Sequence, residues 1–186
     1  MIHRNDVGWP AGYEDAAAQQ ELVKSLHLRK TGLFNELINA GAIPLRPGVL
    51  RLVDEAIAAG VPLAVCSTSS EAAVTNIVST LMGPERRAKF SIYAGDMVAH
   101  KKPAPDVYLL AKDAMGLDPA KVVVIEDSHI GLQAAKGAGM RCLVTKSSYT
   151  GGEDFALADR VVDKLGDEGG SGSPVTLTEL IAMAAA

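Results

Sequence analysis

The stretch Val122-Val-Val-Ile-Glu-Asp-Ser-His-Ile-Gly-Leu-Gln-Ala-Ala-Lys-Gly-Ala-Gly139 decides how the rest of this chain is read. Four branched apolar residues in succession, Val122 to Ile125, predict a parallel strand covered on both faces, where alternation is lost because neither side meets water. Glu126 and Asp127 then fall at its carboxyl end, and small residues from His129 to Ala138 predict a helix that starts at once. Ligands of an open α/β sheet bind at the carboxyl ends of its strands. Two adjacent carboxylates there suit a hard divalent cation such as Mg²⁺, which takes oxygen ligands and completes its shell with water and substrate phosphate. An acidic helix cap, with Asp127 or Ser128 accepting free N–H groups, explains the same residues without any ligand.

Working outward, the pattern repeats. Val49, Leu52, Val53, Ala56 and Ile57 predict a one-sided helix stopped at Gly60, followed by a strand over Pro62 to Cys66. That strand runs into Ser67-Thr68-Ser69-Ser70-Glu71. Thr68 with Glu71 fits a capping box for a helix whose inner face is Val74, Ile77, Val78 and Leu81, and four hydroxylated residues at a helix N-terminus also fit a phosphate site. A short strand over Ser91 to Gly95 leads to the loop Asp96 to Asp106 and a helix from about Pro105 to Met115. Lys102 precedes Pro103 and is expected in extended geometry, with its side chain aimed away from the following helix and available to a phosphate. Further strands are predicted over Met140 to Thr145 and Arg160 to Val162, with a helical turn from Asp154 to Ala158 between them. A helix between most successive strands predicts an α/β fold with a doubly wound parallel sheet, and Ser67, Lys102 and the pair Glu126 and Asp127 mark successive strand ends.

Upstream, residues 1 to 15 read as loop, and Ala16 to Ala40 as an amphipathic helix, interrupted at Gly32, with Arg29 and Lys30 on its polar side. Downstream, residues 166 to 174 read as a flexible linker and Leu177 to Ala186 as a marginal helix. The expected domains are 1–45, 46–165 as the sheet domain, and 166–186 as linker and tail. The 186 residues, 48% hydrophobic, suffice for one core, and a net charge of −4 with 18 scattered basic residues gives no footprint for nucleic acid or an anionic membrane. Two cysteines, Cys66 and Cys142, lie in apolar strand-like runs and predict buried thiols rather than a disulfide. No run reaches the length of a membrane span, and the opening residues have the character of neither a signal nor a transit peptide.

A hydroxyl residue, then Lys-Pro-x-Pro-Asp at 102–106, then Glu-Asp-Ser-x-x-Gly from Glu126 to Gly131 is an order that resembles the haloacid dehalogenase superfamily of phosphotransferases. The likeness runs from about Gly8 to Asp163. Within the family it is nearest to plant and algal phosphatases of the xylulose-1,5-bisphosphate type, through Gly8-Trp-Pro10, Leu45-Arg-Pro-Gly-Val49, Ala64 to Ser69, Leu81 to Arg86, and Glu153-Asp-Phe155. The resemblance implies a Rossmann-like core with a helical cap and Mg²⁺-dependent hydrolysis of a phosphorylated sugar through an aspartyl phosphate. It implies Ser67 and Lys102 as catalytic positions, Ser67, Thr68 and Lys102 on the transferring phosphate, Arg29 and Lys30 on a second phosphate, and Asp127 helped by Glu126 on Mg²⁺. It also implies a monomer in the chloroplast stroma, or in the cytoplasm if no organelle is involved.

The family's nucleophile belongs to an Asp-x-Asp motif at the end of a first core strand. None of the twelve aspartates here has another two positions later. The expectation is therefore a fragment carrying a partial cap and half of an active site, with a slot where the first strand would lie between those ending at Ser67 and Glu126. Two alternatives stand beside it: a non-catalytic phosphate-binding or regulatory protein of the same fold, and a sugar-phosphate mutase. Mutases follow the serine with lysine and asparagine, whereas Ser70 and Glu71 stand here. A receiver domain carries its acids first rather than last, and no nucleotide-binding glycine motif is present.

Overall fold

The computed structural model describes residues 8–167, 169–170 and 173–185; the predicted start at residues 1–7 and the last residue of the predicted tail helix lie outside them. The chain divides into two compact units, residues 1–43 and 44–186. Among its described residues the first contains one helix, α1 (Ala16–Asn39), capped by the Asp15 carboxylate, which accepts from the Ala18 N–H at 2.8 Å. It passes through Gly32 without the expected interruption.

In the second unit the order is α2 (Val49–Ala58), β1 (Leu63–Cys66), α3 (Glu71–Met82), α4 (Pro84–Arg87), β2 (Phe90–Tyr93), α5 (Asp106–Met115), a 3₁₀ turn, β3 (Val123–Glu126), α6 (His129–Gly137), β4 (Arg141–Thr145), β5 (Arg160–Val162) and α7 (Leu177–Ala185). Every pairing is parallel. The strands form two ribbons rather than one sheet: β1 pairs with β2, and β3, β4 and β5 pair in that order.

Strand β4 shows how the layers form. Successive side chains point to opposite faces. Cys142 and Val144 enter a cluster with Val107, Tyr108, Leu132 and Ala135 of α5 and α6. Leu143 enters a second cluster with Leu52 of α2 and Leu165, Val175 and Leu180 around α7. Burial on both faces selects the branched apolar run without alternation. At β3 the rule fails at one residue: Ile125 is 41% exposed, against the expected two-sided cover, because β3 has a neighbour on one edge only.

Gly166 and Val175, at the two ends of the predicted linker, are both fastened to α2. The Arg51 guanidinium donates to the carbonyls of Gly166 (2.9 Å) and Val175 (2.7 Å), and Val175 is buried. The predicted linker 166–174 lies partly outside the described residues, at 168, 171 and 172, and the anchor of its two ends lies more than a hundred residues upstream. The expected helical turn from Asp154 to Ala158 is a simple turn, closed by the Ala158 N–H on the Phe155 carbonyl at 3.0 Å.

Asp159 joins β4 to β5. Its carboxylate accepts from the Cys142 N–H (2.7 Å), Lys136 Nζ (2.7 Å) and Arg141 (3.0 Å). Burial pushes this carboxyl up, but the hydrogen bonds from Lys136, Cys142 and Arg141 outweigh it and hold the pKa at about 2, below the ordinary 3.8. A depressed carboxyl stabilises the fold above its unfolded pKa and loses that contribution as pH falls through its folded value. Asp159→Asn is therefore expected to cost roughly 1–2 kcal/mol at pH 7, allowing for solvent screening, with the gap to the parent closing towards pH 2. Urea denaturation across that range measures it.

Candidate functional site

The carboxyl ends of β1 and β3 open into a cleft of about 430 Å³ lined by Ser67, Thr68, Lys102, Glu126, Asp127, Arg46 and neighbouring residues. Its centre is Lys102. The ammonium donates to the Cys66 carbonyl (2.9 Å), the Tyr108 hydroxyl (2.9 Å) and Glu126 Oε1 (2.5 Å), and the Lys102 and Glu126 side chains are only 8% and 9% exposed. One side chain thus touches the end of β1, the first turn of α5 and the end of β3. The expectation that Lys102 points away from the following helix is overturned. It lies 4.6 Å from the centre of the Tyr108 ring on α5, because a buried ammonium takes the acceptors and the aromatic face within reach.

Tyr108 completes the cluster. Its hydroxyl donates to Glu126 Oε1 at 2.5 Å, and burial, followed by the nearby Glu126 charge, drives its pKa far up, so it stays a neutral hydroxyl that accepts from Lys102 and donates to Glu126. Glu126 Oε2 accepts from the Asp127 N–H at 3.2 Å. Gly131, one turn into α6, lies so close to the Glu126 carboxylate that a Cβ there would collide with it. Asp127 stands exposed at the mouth, one residue before the helix.

Of the two helix-cap readings, the one for α6 resolves to Ser128, one of its two candidates, and the one for α3 is overturned. Helix α6 is capped by Ser128, whose Oγ accepts from the Gly131 N–H at 3.3 Å, while Glu153 accepts the His129 N–H at 2.6 Å. Asp127 is thereby released from capping. Helix α3 is capped by Ser70, not by the proposed Thr68 and Glu71 pair: Ser70 accepts from the Ala73 N–H, and the Glu71 N–H is taken by Asp96. The Ser69 N–H is bound by Ser67 Oγ at 3.1 Å. Ser67 and Thr68, at this strand end, line the cleft. Close packing holds the turn, since a Cβ on Gly95 would strike the Thr68 backbone.

Arg46 was not singled out from the sequence. Its guanidinium donates to Thr145 Oγ1 (2.9 Å) and to the carbonyls of Thr145 (3.0 Å), Lys146 (2.6 Å) and Asp163 (2.7 Å). All four acceptors are neutral, so its charge stays available to the cleft. Nothing in local spacing marks it, because its partners lie about a hundred residues away. Tyr108, six residues after Lys102, and Glu153 were missed similarly; each acts through a contact made only by the fold. Arg29 and Lys30 are exposed on α1 in the first unit.

Carboxylate oxygens of Asp127 and Glu126 are the donor type that Mg²⁺ takes. Among the described residues no group of three or more His, Cys, Asp or Glu side chains is placed to hold a metal ion. Both thiols are inert by environment. Burial pushes Cys66 up to about 11 and Cys142 up to about 12, and both are free.

A parallel α/β core with a hydroxyl loop, a buried lysine and paired acids at adjoining strand ends is the architecture of a phosphoryl-transfer hydrolase. The chain belongs to the haloacid dehalogenase-like hydrolases, whose family model matches residues 8–139. Within that family it is 56% identical over 164 residues to a CBBY-like protein of Arabidopsis thaliana, covering 88% of this chain and 51% of the relative. It is 44% identical over 149 residues to protein CbbY of Cereibacter sphaeroides, covering 80% and 65%. Among solved structures it resembles a mutant CbbY from Rhodobacter sphaeroides in complex with xylulose-1,5-bisphosphate, with a TM-score of 0.72, 45% identity, and 80% and 67% of the two chains covered. The chain thus spans about half to two thirds of the length of these relatives. Among the described residues, no helix is long and apolar enough to cross a membrane.

The Lys102–Glu126 pair gives a direct test. Lys102→Met leaves a carboxylate buried beside Tyr108 and is expected to cost about 3 kcal/mol. Adding Glu126→Gln should recover most of that loss, and a denaturation cycle over the four proteins reads the coupling. Gly131→Ala is expected to collide with the Glu126 carboxylate and lower stability by about 2 kcal/mol in urea denaturation, while Gly152→Ala, whose added Cβ meets open space, leaves stability unchanged.

Proposed function

We propose that this chain carries the phosphate-holding and metal-holding half of a Mg²⁺-dependent sugar-bisphosphate phosphatase of the xylulose-1,5-bisphosphate type. The observation that carries the reading is the single cleft in which the Ser67 and Thr68 hydroxyls, the Lys102 ammonium and the Glu126 and Asp127 carboxylates meet. Phosphoryl transfer depends on positioning and on cancelling charge over the phosphate oxygens, and these groups supply both. Ser67 and Thr68 donate to the phosphate. Lys102, held by three partners, brings a fixed positive charge, and Arg46 adds a second. Asp127, helped by Glu126, holds Mg²⁺, which neutralises charge on the phosphate. Arg29 and Lys30 are assigned to the second phosphate of the substrate, and the plastid is the proposed location; both follow from the resemblance to plant and algal phosphatases. The bound bisphosphate in the CbbY complex supports the substrate class.

The attacking carboxylate of an Asp-x-Asp pair is not in this sequence. The chain by itself is therefore expected to bind and not to turn over. Calorimetry with inorganic phosphate should show binding that requires Mg²⁺ and that Asp127→Asn or Lys102→Ala weakens at least about tenfold. Release of phosphate from xylulose-1,5-bisphosphate should stay at the uncatalysed rate. Robust turnover abolished by Lys102→Ala would overturn the half-site reading, and phosphate binding indifferent to Mg²⁺ would favour a regulatory phosphate-binding module.

A further inference from the structure

We propose that a groove at the amino-terminal edge of the parallel layer binds a small amphiphilic anion, an aliphatic carboxylate whose head meets Lys121 and Arg141 and whose chain lies on α7. The site is independent of the phosphatase reading, since none of its residues belongs to the cleft at the carboxyl edge.

Helix α7 is the starting point. Of Leu177-Thr-Glu-Leu-Ile-Ala-Met-Ala-Ala185 only Thr178 and Glu179 are polar, and a helix apolar on nearly all sides is normally covered on all sides. Leu177, Leu180 and Met183 pack into the second cluster, which accounts for one face. Ile181, Ala184 and Ala185, spaced i, i+3 and i+4, make a second apolar stripe, on which Ile181 is 54% exposed. That stripe is one wall of a groove of about 910 Å³, against about 430 Å³ for the cleft at the other edge.

The rest of the groove is cationic. Lys121 of the 3₁₀ turn, Lys136 in the last turn of α6 and Arg141 at the start of β4 line it, and among the described residues no acidic side chain does. Asp159 takes Lys136 and one terminal nitrogen of Arg141, and Asp118 stands 3.9 Å from Lys121. Three cations against two carboxylates leave this edge positive on a chain whose net charge is −4. The Ala135 and Lys136 carbonyls are occupied by the N–H groups of Met140 and Gly139, which blunts the negative end of α6. An apolar wall beside a cationic one, in a space within the range of small-molecule sites, selects a hydrocarbon body with one anionic head. A protein partner fits less well, because ten residues line the groove, against about 20–30 a side in a standard interface. The Lys121 side chain, 80% exposed, and the other donors of the Arg141 fork supply charge-assisted bonds to the head.

The probe is octanoate, titrated into the full 186-residue chain and followed by backbone amide shifts in NMR spectra. The shifts are expected to saturate with a dissociation constant at or below about 1 mM and to fall on 120–121, 136–141 and 181–185, with 67–68 and 126–128 unmoved. Butanoate should bind at least about tenfold more weakly, because each buried methylene is worth about fourfold. Uncharged 1-octanol should bind at least about fivefold more weakly than octanoate. Ile181→Glu is expected to weaken octanoate at least about tenfold, and Lys121→Glu about fivefold. Asp159→Asn separates a site from a groove that only needs an intact fold. It releases Lys136 and Arg141 and should tighten octanoate at least about twofold while lowering stability, whereas damage to the fold alone would weaken binding. If Asp159→Asn does not fold, the two variants at exposed positions, Ile181→Glu and Lys121→Glu, decide. Binding that these variants leave unchanged, shifts confined to the carboxyl-edge cleft, or equal affinity for octanoate and butanoate overturns the proposal. So does a chain that sediments as a dimer until Ile181→Glu is introduced, since a second copy then covers the stripe. A response to phosphatidylglycerol vesicles without one to monomeric octanoate assigns the face to a membrane surface and overturns it as well.

Discussion

The buried pair of Lys102 and Glu126 is the interaction on which this core depends. Main-chain hydrogen bonds do not join β1 to β3, so the two ribbons are held in one layer by packing from the helices and, at the carboxyl edge, by one ammonium that binds the Cys66 carbonyl on one side and the Glu126 carboxylate on the other. Removing two charges from water is costly, and the cost is met only when every remaining donor and acceptor finds a partner. Tyr108 supplies that completion. Its hydroxyl accepts from Lys102 and donates to Glu126, closing a triangle in which no member is left unsatisfied. Gly131 is the steric counterpart, since only a residue without a Cβ lets α6 approach the Glu126 carboxylate this closely.

Around this centre the long-range anchors are arginines that bind carbonyls. Arg46 gathers the ends of β4 and β5 through Thr145, Lys146 and Asp163, and Arg51 fastens Gly166 and Val175 so that α7 covers Leu143. The planar fork with five donors suits this work, because one side chain satisfies several strand-end carbonyls at once. Loop-like sequence after Leu165 becomes part of the core by this means.

Most of the fold was legible because its signals are local. The apolar runs at 63–66 and 141–145, the helix faces of α2 and α3, and the stop at Gly116 each follow from a few consecutive residues, and the parallel order follows from helices between strands. Ser67, Lys102, Glu126 and Asp127 were legible as strand-end chemistry combined with a family resemblance. What escaped is non-local. The direction of Lys102 is set by Tyr108 and Glu126 and not by Pro103. The cap of α3 is set by Ser70 with Asp96, 25 residues beyond Glu71, and the acceptors of the Arg46 guanidinium lie 99 to 117 residues away. Ile125 reads as core by its neighbours and is exposed because of an edge that no local pattern reveals.

The charges of the cleft place a constraint on what it can hold. Lys102 is compensated by Glu126 at contact, and Arg46, bonded to neutral oxygens, is balanced over a longer distance by Asp127. The four charges sum to zero. A phosphate ester entering such a site brings about −1.5 to −2 that Lys102 and Arg46, already matched by two carboxylates, cancel only in part, and in a partly desolvated cleft the remainder is a penalty. A divalent cation entering alone meets the opposite problem, since Glu126 is already spent on Lys102 and only Asp127 offers a free carboxylate. Each ligand removes the other's cost. On the function proposed above, the cleft would take anion and cation together, and their coupling would come from the prior pairing of Lys102 with Glu126.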